Sequence, residues 1–473
     1  MSASPRPKIG GAHLLPLIVA CAFFMENLDS TVIVTALPSM ARSFARAPVD
    51  LNTGITAYML TLAVFIPISS WVADRFGTRN VFFAAIVAYL AASMSCGMSG
   101  NLSQFVIARI LQGAGGAMMV PVGRMIVLRT TAKADLMHAM AFITWPALVA
   151  PVIGPAVGGF IATYASWRWI FFINVPIGLL GMFLVWRFVP NLSAAEPPRF
   201  DLHGFLSSGM ALACLMAGLG LLAQGDGQLV KSVPLLIVAV MAGAWAIRHM
   251  YRVERPMVSL APFRVATFST TVAGGCYSRF AVSSSLFVLP LMFQVGFGMT
   301  PFAAGMLMLV GAAGSLSTKA IAIGVVRRFG FRQVLIVNST LIALSTLGCT
   351  LFRPDSPLVF IVSIMLLCGF SRSLQFTCLN TLAFADMPPE WISSASMWSS
   401  MLQQIISGLA VAFGALMLRC SASLRGHAGG LLQPADFRLV LVALAVVAML
   451  AVLRFRPLQA DTGDAVSGRK LSA

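Results

Sequence analysis

Charge is what this chain has least of: 10% of its 473 residues are Asp, Glu, Lys or Arg, and 58% are hydrophobic. A soluble domain of this length cannot cover its surface with so few charges, so the composition demands lipid as solvent. Carboxylates are the scarcer sign, 15 against 32 Lys and Arg. Cysteine is sparse as well, eight in all. Most sit in apolar stretches (Cys21, Cys96, Cys214, Cys276, Cys349, Cys368, Cys378), with no C-x-x-C pair and no histidine cluster, which indicates neither a disulfide framework nor a metal site. There is no G-x-x-x-x-G-K-[ST] loop and no soluble domain to hold one, so an ATPase is excluded and no cofactor is expected. The serine run Ser283, Ser284 and Ser285 has no histidine nearby in sequence and reads as helix packing, which leaves no catalytic constellation. The five histidines lie mostly at helix ends or in loops and are assigned no role.

What the chain does have is apolar runs of spanning length. Six fall at 14–37, 51–73, 80–98, 102–124, 137–163 and 169–190. A polar stretch from Asn191 to His203 follows, then runs at 204–223 and 233–250, a basic loop from Tyr251 to Arg264, and six more runs at 268–293, 301–324, 333–352, 357–380, 391–418 and 435–454. The expected fold is an all-α integral membrane protein of fourteen helices. It divides into an N-terminal six-helix bundle (1–190), a cytoplasmic linker with two extra helices (191–266), a C-terminal six-helix bundle (267–456) and a cytoplasmic tail (457–473). The first run is too long for a signal-peptide core and lacks a small-residue cleavage site, so it reads as a retained helix. The net charge of +17 does not point to nucleic acid, because the basic residues form no patch. They fall instead in alternate loops, at Arg75 and Arg79, Arg129 and Lys133, Arg248 and Arg252, Arg327 and Arg328. That is the positive-inside bias, and it places both termini in the cytoplasm.

The two six-helix blocks echo each other. Asp74-Arg75-Phe76-Gly77-Thr78-Arg79 follows the second span, and Arg327-Arg328-Phe329-Gly330-Phe331-Arg332 follows the second span of the later block. The shared Arg-Phe-Gly-x-Arg at equivalent helix boundaries points to an internal repeat, a common transporter architecture.

A charge near mid-bilayer costs at least about 2.5 to 3.5 kcal/mol on insertion scales, so each one is a functional candidate. They are Glu26 and Asp29 in the first span, Arg109 in the fourth, Arg279, Lys319 and Arg372. Glu26 and Asp29 share a helix face, and paired carboxylates in low dielectric favour proton uptake by one of them. The competing reading pairs each with a fixed arginine such as Arg109. Arg279 and Arg372, with no carboxylate deep in the second block, suit an anionic or chelated solute, or else bond to exposed carbonyls. Lys319 either joins them or snorkels to the cytoplasmic edge. Gly154, Pro155, Gly158 and Gly159 in the fifth span form a small-residue face for close helix packing, with a second such face at Gly113, Gly115 and Gly116.

Several stretches together resemble the major facilitator superfamily, in its fourteen-helix EmrB/QacA-type drug:proton antiporter branch, and most narrowly the MdtD/HsrA-type subgroup. They are Leu28 to Pro38, with Thr35 where the branch has asparagine; Asp74 to Arg79, with Ser70 and Thr78 as departures; Arg109-Ile110-Leu111-Gln112-Gly113; Gly115 to Arg124; Gly154 to Gly159; Trp167 to Pro176; and Arg372 to Asn380. The resemblance implies a proton-coupled exporter of small organic compounds in the cell inner (plasma) membrane. Asp29 would be the protonatable carboxylate and Arg109 the partner that modulates it, with Glu26 on the same helix face as a further proton-coupling candidate. Asp74, Arg75, Gly77 and Arg79 would form a cytoplasmic latch, and Gly154 to Gly159 the antiporter seam. Gln112, Arg279, Arg372 and Asn380 would line the substrate cavity. Partners would be the small-molecule substrate, protons and the bilayer, with any periplasmic adaptor unknown. The alternative is an exporter of an anionic metabolite or metal chelate such as citrate or iron-citrate.

Overall fold

A computed structural model describes residues 14–131, 136–193, 200–223, 229–253, 259–388, 391–425 and 432–459. Among them the regular elements are helices: α1 (Leu14–Phe44), α2 (Asn52–Phe65), α3 (Ile68–Phe76), α4 (Thr78–Met98), α5 (Leu102–Thr130), α6 (Leu136–Tyr164), α7 (Trp169–Phe172), α8 (Asn174–Phe188), α9 (Leu202–Ala223), α10 (Leu229–Arg252), α11 (Ala266–Leu291), α12 (Pro301–Cys349), α13 (Leu358–Ala385), α14 (Ile392–Leu424) and α15 (Pro434–Phe455). Twelve helical stretches among the described residues are long and apolar enough to cross a membrane. The chain is a multi-pass, all-helical membrane protein. Two of the fourteen expected spans are not among those twelve. One falls on α2 and α3, which part at Ile66 and Pro67, where proline cannot donate the next backbone hydrogen bond. The other falls on α6.

Helix packing follows the apolar faces. α1 lies along α6, α5 lies between α2 and α4, and α12 packs along α13 and also against α6. α11 contacts α14 and α15, and α14 reaches across to α2. α9 and α10 form a hairpin that rests through α9 on α2 and α14. α10 leaves Val240, Met241, Trp245 and Ile247 exposed, as expected of a lipid-facing helix.

Three polar contacts join the early and late helices at one end of the molecule. Asp50, in the short turn Pro48–Leu51 after α1, pairs with Arg419 near the end of α14. Gln294 Nε2 donates to the Thr35 carbonyl at 3.0 Å, and the Phe302 N–H donates to Thr163 Oγ1 at 3.0 Å. At the opposite end Asp74 engages Arg129 of α5 at 2.7 Å, within the early helices.

The sequence echo has a backbone counterpart. Gly77 joins α3 to α4 with φ 88° and ψ 140°, and Gly330 breaks α12 with φ 77° and ψ 158°. Positive φ with extended ψ is open essentially to glycine alone. At Gly77 a Cβ would also collide with the Asn191 side chain. Each motif therefore breaks the helix at its glycine, and its arginines flank the break. Gly330→Ala should cost about 1 to 3 kcal/mol. Gly324→Ala, in the same helix with open space around it, should be neutral or stabilising by up to about 1 kcal/mol. Thermal unfolding of the detergent-solubilised variants checks the contrast.

Candidate functional site

Four helices bring polar side chains to one buried point. Asp29, midway along α1, is 1% exposed, and Arg109 and Gln112, one turn apart on α5, are 0% exposed. Arg109 donates to Asp29 Oδ2 at 2.6 Å and to Gln112 Oε1 at 2.6 Å. Gln112 Nε2 donates to Asp29 Oδ1 at 3.1 Å, and Asn174 Nδ2 of α8 donates to the same oxygen at 3.3 Å. Behind these, Asn174 Nδ2 also reaches Ser93 Oγ of α4 at 3.1 Å, and Ser93 donates to the Phe171 carbonyl at 2.9 Å. The Arg109 guanidinium carbon lies 4.0 Å from the centroid of the Tyr58 ring, a cation–π contact away from water. Asp29 and Arg109 neutralise each other, and the amides supply the hydrogen bonds that a buried ion pair needs to be tolerated.

Glu26 lies three residues before Asp29 and is 9% exposed. Among the described residues it makes no ion pair, and its Oε2 has no hydrogen-bond partner. Its neighbouring charges are Arg124 and Asp29. The two carboxylates therefore sit in different settings, one enclosed in a bonded shell and one beside it and unpaired.

The other expected residues fall at three places. Asp74 pairs with Arg129, Arg75 stacks over Trp71 and Phe76 at 5.8 and 5.9 Å, and Arg79 is half-buried in the first turn of α4. The α6 glycines serve two seams at once. A Cβ at Gly154 would strike Thr31, and one at Gly158 would strike the Val32 carbonyl and Thr35, all on α1. A Cβ at Gly159 would strike the Pro301 carbonyl of α12, and the carbonyl of Pro155 lies where a Cβ on Gly305 would sit. The third place lies among the later helices. Arg279 of α11 donates to Asn380 Oδ1 of α13 at 3.0 Å and lies over Phe376, and Arg372 donates to Ser315 Oγ at 3.0 Å. Arg279 lines a cavity of about 310 Å³ between α11, α13 and α14, and Arg372 lines a separate one of about 540 Å³. Among the described residues neither arginine has a carboxylate partner. The side chains of Ser70 and Lys319 lie outside the described residues.

Gln112 thus stands on the Asp29–Arg109 pair rather than beside Arg279 and Arg372. Asn174 and Ser93 were missed. Asn174 stood inside the recognised Trp167 to Pro176 stretch, and a polar side chain in an otherwise apolar run was the available signal. Ser283 reaches Ser407 of α14 at 3.1 Å, in keeping with helix packing.

This geometry, buried polar groups at mid-depth of a helical membrane bundle, is that of a transporter. The chain belongs to the Major Facilitator Superfamily, whose family model matches residues 19–411. It is a transporter and not an enzyme. It is 37% identical over 462 residues, covering 96% of this chain and 97% of the relative, to a protein of Escherichia coli O6:H1 (strain CFT073) provisionally named multidrug resistance protein MdtD. The MdtD of Escherichia coli strain K12 / DH10B matches to the same extent. Among solved structures the fold is shared with a D-xylose-proton symporter (TM-score 0.67, 16% identity, 95% of this chain and 98% of that one). It is shared equally with an inward-facing bacterial homologue of the human lysosomal transporter Spinster (TM-score 0.67, 14% identity, 99% and 100% covered).

Removing one partner of the buried pair should be costly. Arg109→Met leaves the Asp29 carboxylate uncompensated and should destabilise by about 3 to 5 kcal/mol, whereas Asn174→Ala removes one weak donor and should cost about 1 kcal/mol. The melting temperatures of the solubilised variants should rank accordingly.

Proposed function

We propose that the chain is a proton-coupled antiporter that exports small organic compounds across the cell inner membrane by alternating access. It would have fourteen spans, both termini in the cytoplasm, and two six-helix bundles joined by the α9–α10 hairpin. The observation that carries this is the Asp29 carboxylate, enclosed at mid-depth and held by Arg109, Gln112 and Asn174. A proton arriving on Asp29 removes the negative half of the pair and leaves Arg109 as an uncompensated buried cation. The loaded and unloaded cluster therefore favour different packings of α1 against α5, which is the differential interaction a conformational change requires. Glu26, one turn nearer the proposed cytoplasmic end, is placed to pass the proton on. Inward movement of one proton is worth about 2.3 kcal/mol per 100 mV and about 1.4 kcal/mol per pH unit, enough to drive export uphill. The likeness to MdtD supports the drug class of substrate.

On this topology three of the contacts joining early and late helices, Asp50–Arg419, Thr35–Gln294 and Thr163–Phe302, would lie at the outer end, which supports a state closed outward. The α6 glycines form the seam about which the bundles rock. Asp74, Arg75, Gly77 and Arg79 form a cytoplasmic latch in which Arg129 is the arginine that Asp74 engages. A second reading, export of an anionic metabolite or metal chelate such as citrate or iron-citrate, is favoured by Arg279 and Arg372, two membrane-depth arginines without carboxylates.

In proteoliposomes with an imposed pH gradient, lipophilic cations should elicit proton flux, and Asp29→Asn should abolish it in protein that is still inserted and folded, though less stable. Normal export by Asp29→Asn would refute the coupling site. A response confined to citrate-like anions or their iron complexes would transfer the substrate role to Arg279 and Arg372. Breaking the outer contact with Asp50→Asn should raise labelling of a cysteine introduced at Thr35 by a membrane-impermeant thiol reagent added outside. Unchanged labelling would contradict the closed-outward assignment.

A further inference from the structure

The cavity of about 540 Å³ among the later helices is lined by an unusual set of atoms. Met308 of α12, Cys349 at the far end of α12, and Met365 and Cys368 of α13 line it beside the hydroxyls of Ser285, Ser345, Thr346 and Ser371, and among the described residues no carboxylate or imidazole does. The Cys349 and Cys368 sulfurs lie 3.9 Å apart. Nineteen positions separate the two cysteines in sequence, and the antiparallel packing of α12 on α13 is what joins them. Arg372 stands one helical turn beyond Cys368 and lines the same cavity, bonded to Ser315 and to no carboxylate among the described residues.

We propose that this cavity is a binding site for a soft monovalent metal ion, Cu(I) or its analogue Ag(I), held by the two cysteine thiolates with the methionine thioethers as further donors. Three features point the same way. The soft donors are two thiols and two thioethers, a set that suits Cu(I), and the other oxygen-bearing side chains, Ser285, Ser345, Thr346 and Ser371, are neutral hydroxyls, so hard ions would find no oxygen anion here. The spacing fits a bridging ion. With metal–sulfur bonds of about 2.3 Å, as for zinc thiolates, sulfurs 3.9 Å apart subtend about 115° at the metal, suited to a three- or four-coordinate centre that leaves places for Met308 or Met365. A disulfide would instead require the sulfurs to close to about 2.05 Å. The charge also balances. Cu(I) displaces two thiol protons, Cu⁺ + 2 RSH → [Cu(SR)₂]⁻ + 2 H⁺, with no change of oxidation state, and the resulting anion compensates the lone Arg372 guanidinium.

The test is titration of the reduced, anaerobic, detergent-solubilised full chain with Cu(I) against a colorimetric Cu(I) chelator, with X-ray absorption on the retained metal. The expected result is one strongly held Cu(I) per chain in a sulfur-only shell. It should be lost in Cys349→Ser and in Cys368→Ser and kept in Cys420→Ser, whose cysteine is exposed on α14. Arg372→Met should weaken binding about tenfold while keeping the sulfur shell, as removal of a supporting charge does at other metal sites. Gel filtration and melting temperature identify any variant that fails to fold. Met308→Leu/Met365→Leu, which preserves shape, provides an independent arm and should weaken binding and lower the sulfur coordination number. The proposal is overturned if the wild-type chain yields all its Cu(I) to the chelator, or if the folded Cys349→Ser/Cys368→Ser double variant retains the metal as well as wild type does.

Discussion

A carboxylate and a guanidinium taken out of water together constrain much of the early half of this molecule. Asp29 and Arg109 are tolerable at mid-membrane because each neutralises the other and because Gln112 and Asn174 occupy remaining hydrogen-bonding positions. That requirement sets the helix packing. The Tyr58 ring can cover the guanidinium only if α2 approaches α5 closely, and Gly113 permits it, since a Cβ there would meet the Tyr58 carbonyl at 2.8 Å. Ser93 can support Asn174 only if α4 is equally close, and Gly115, whose Cβ would meet the Tyr89 N–H nitrogen at 2.8 Å, allows that. Small residues on α5 are the condition for a charged centre between α2 and α4.

The same logic reaches the joint between the early and late helices. α6 packs backbone to backbone on α1 through Gly154 and Gly158, and on α12 through Gly159 facing Pro301 and Gly305 facing Pro155. Thr31 and Thr35, which meet these glycines, lie within two turns of Asp29 along α1. A change of protonation at Asp29 and a shift of the α1–α6 seam thus act on the same short stretch of helix. The late helices carry no equivalent ion pair among the described residues. There Asn338, Gln375, Ser278 and Ser339 form a neutral hydrogen-bonded network, and the arginines stand apart from it.

Much of the architecture was legible in the sequence because lipid leaves few ways to fold. Backbone groups must be satisfied within each span, so apolar runs become helices, and Gly77 and Gly330 announce the repeat because the turn they make is closed to other residues. Asp29 and Arg109 were legible because charge is so rare in this chain. Less legible were the neutral partners. Asn174 and Ser93 carry no charge to set them apart, and Gln112, one turn after Arg109, could be assigned to substrate as readily as to Asp29 until the helix orientation was known. Arg129 as the partner of Asp74, and the meeting of Cys349 with Cys368, depend on which helices pack together. Spacing along the chain does not encode that.

The central proposal is that protonation of Asp29 beside Arg109 is coupled to binding of the exported substrate. Proton release on substrate addition to the solubilised protein in weakly buffered solution tests it without a membrane or a gradient. At a pH low enough to load the proton on Asp29, the account predicts about one proton released per chain in the wild type and none in Asp29→Asn at saturating substrate. Equal release from both proteins would place the coupling carboxylate elsewhere.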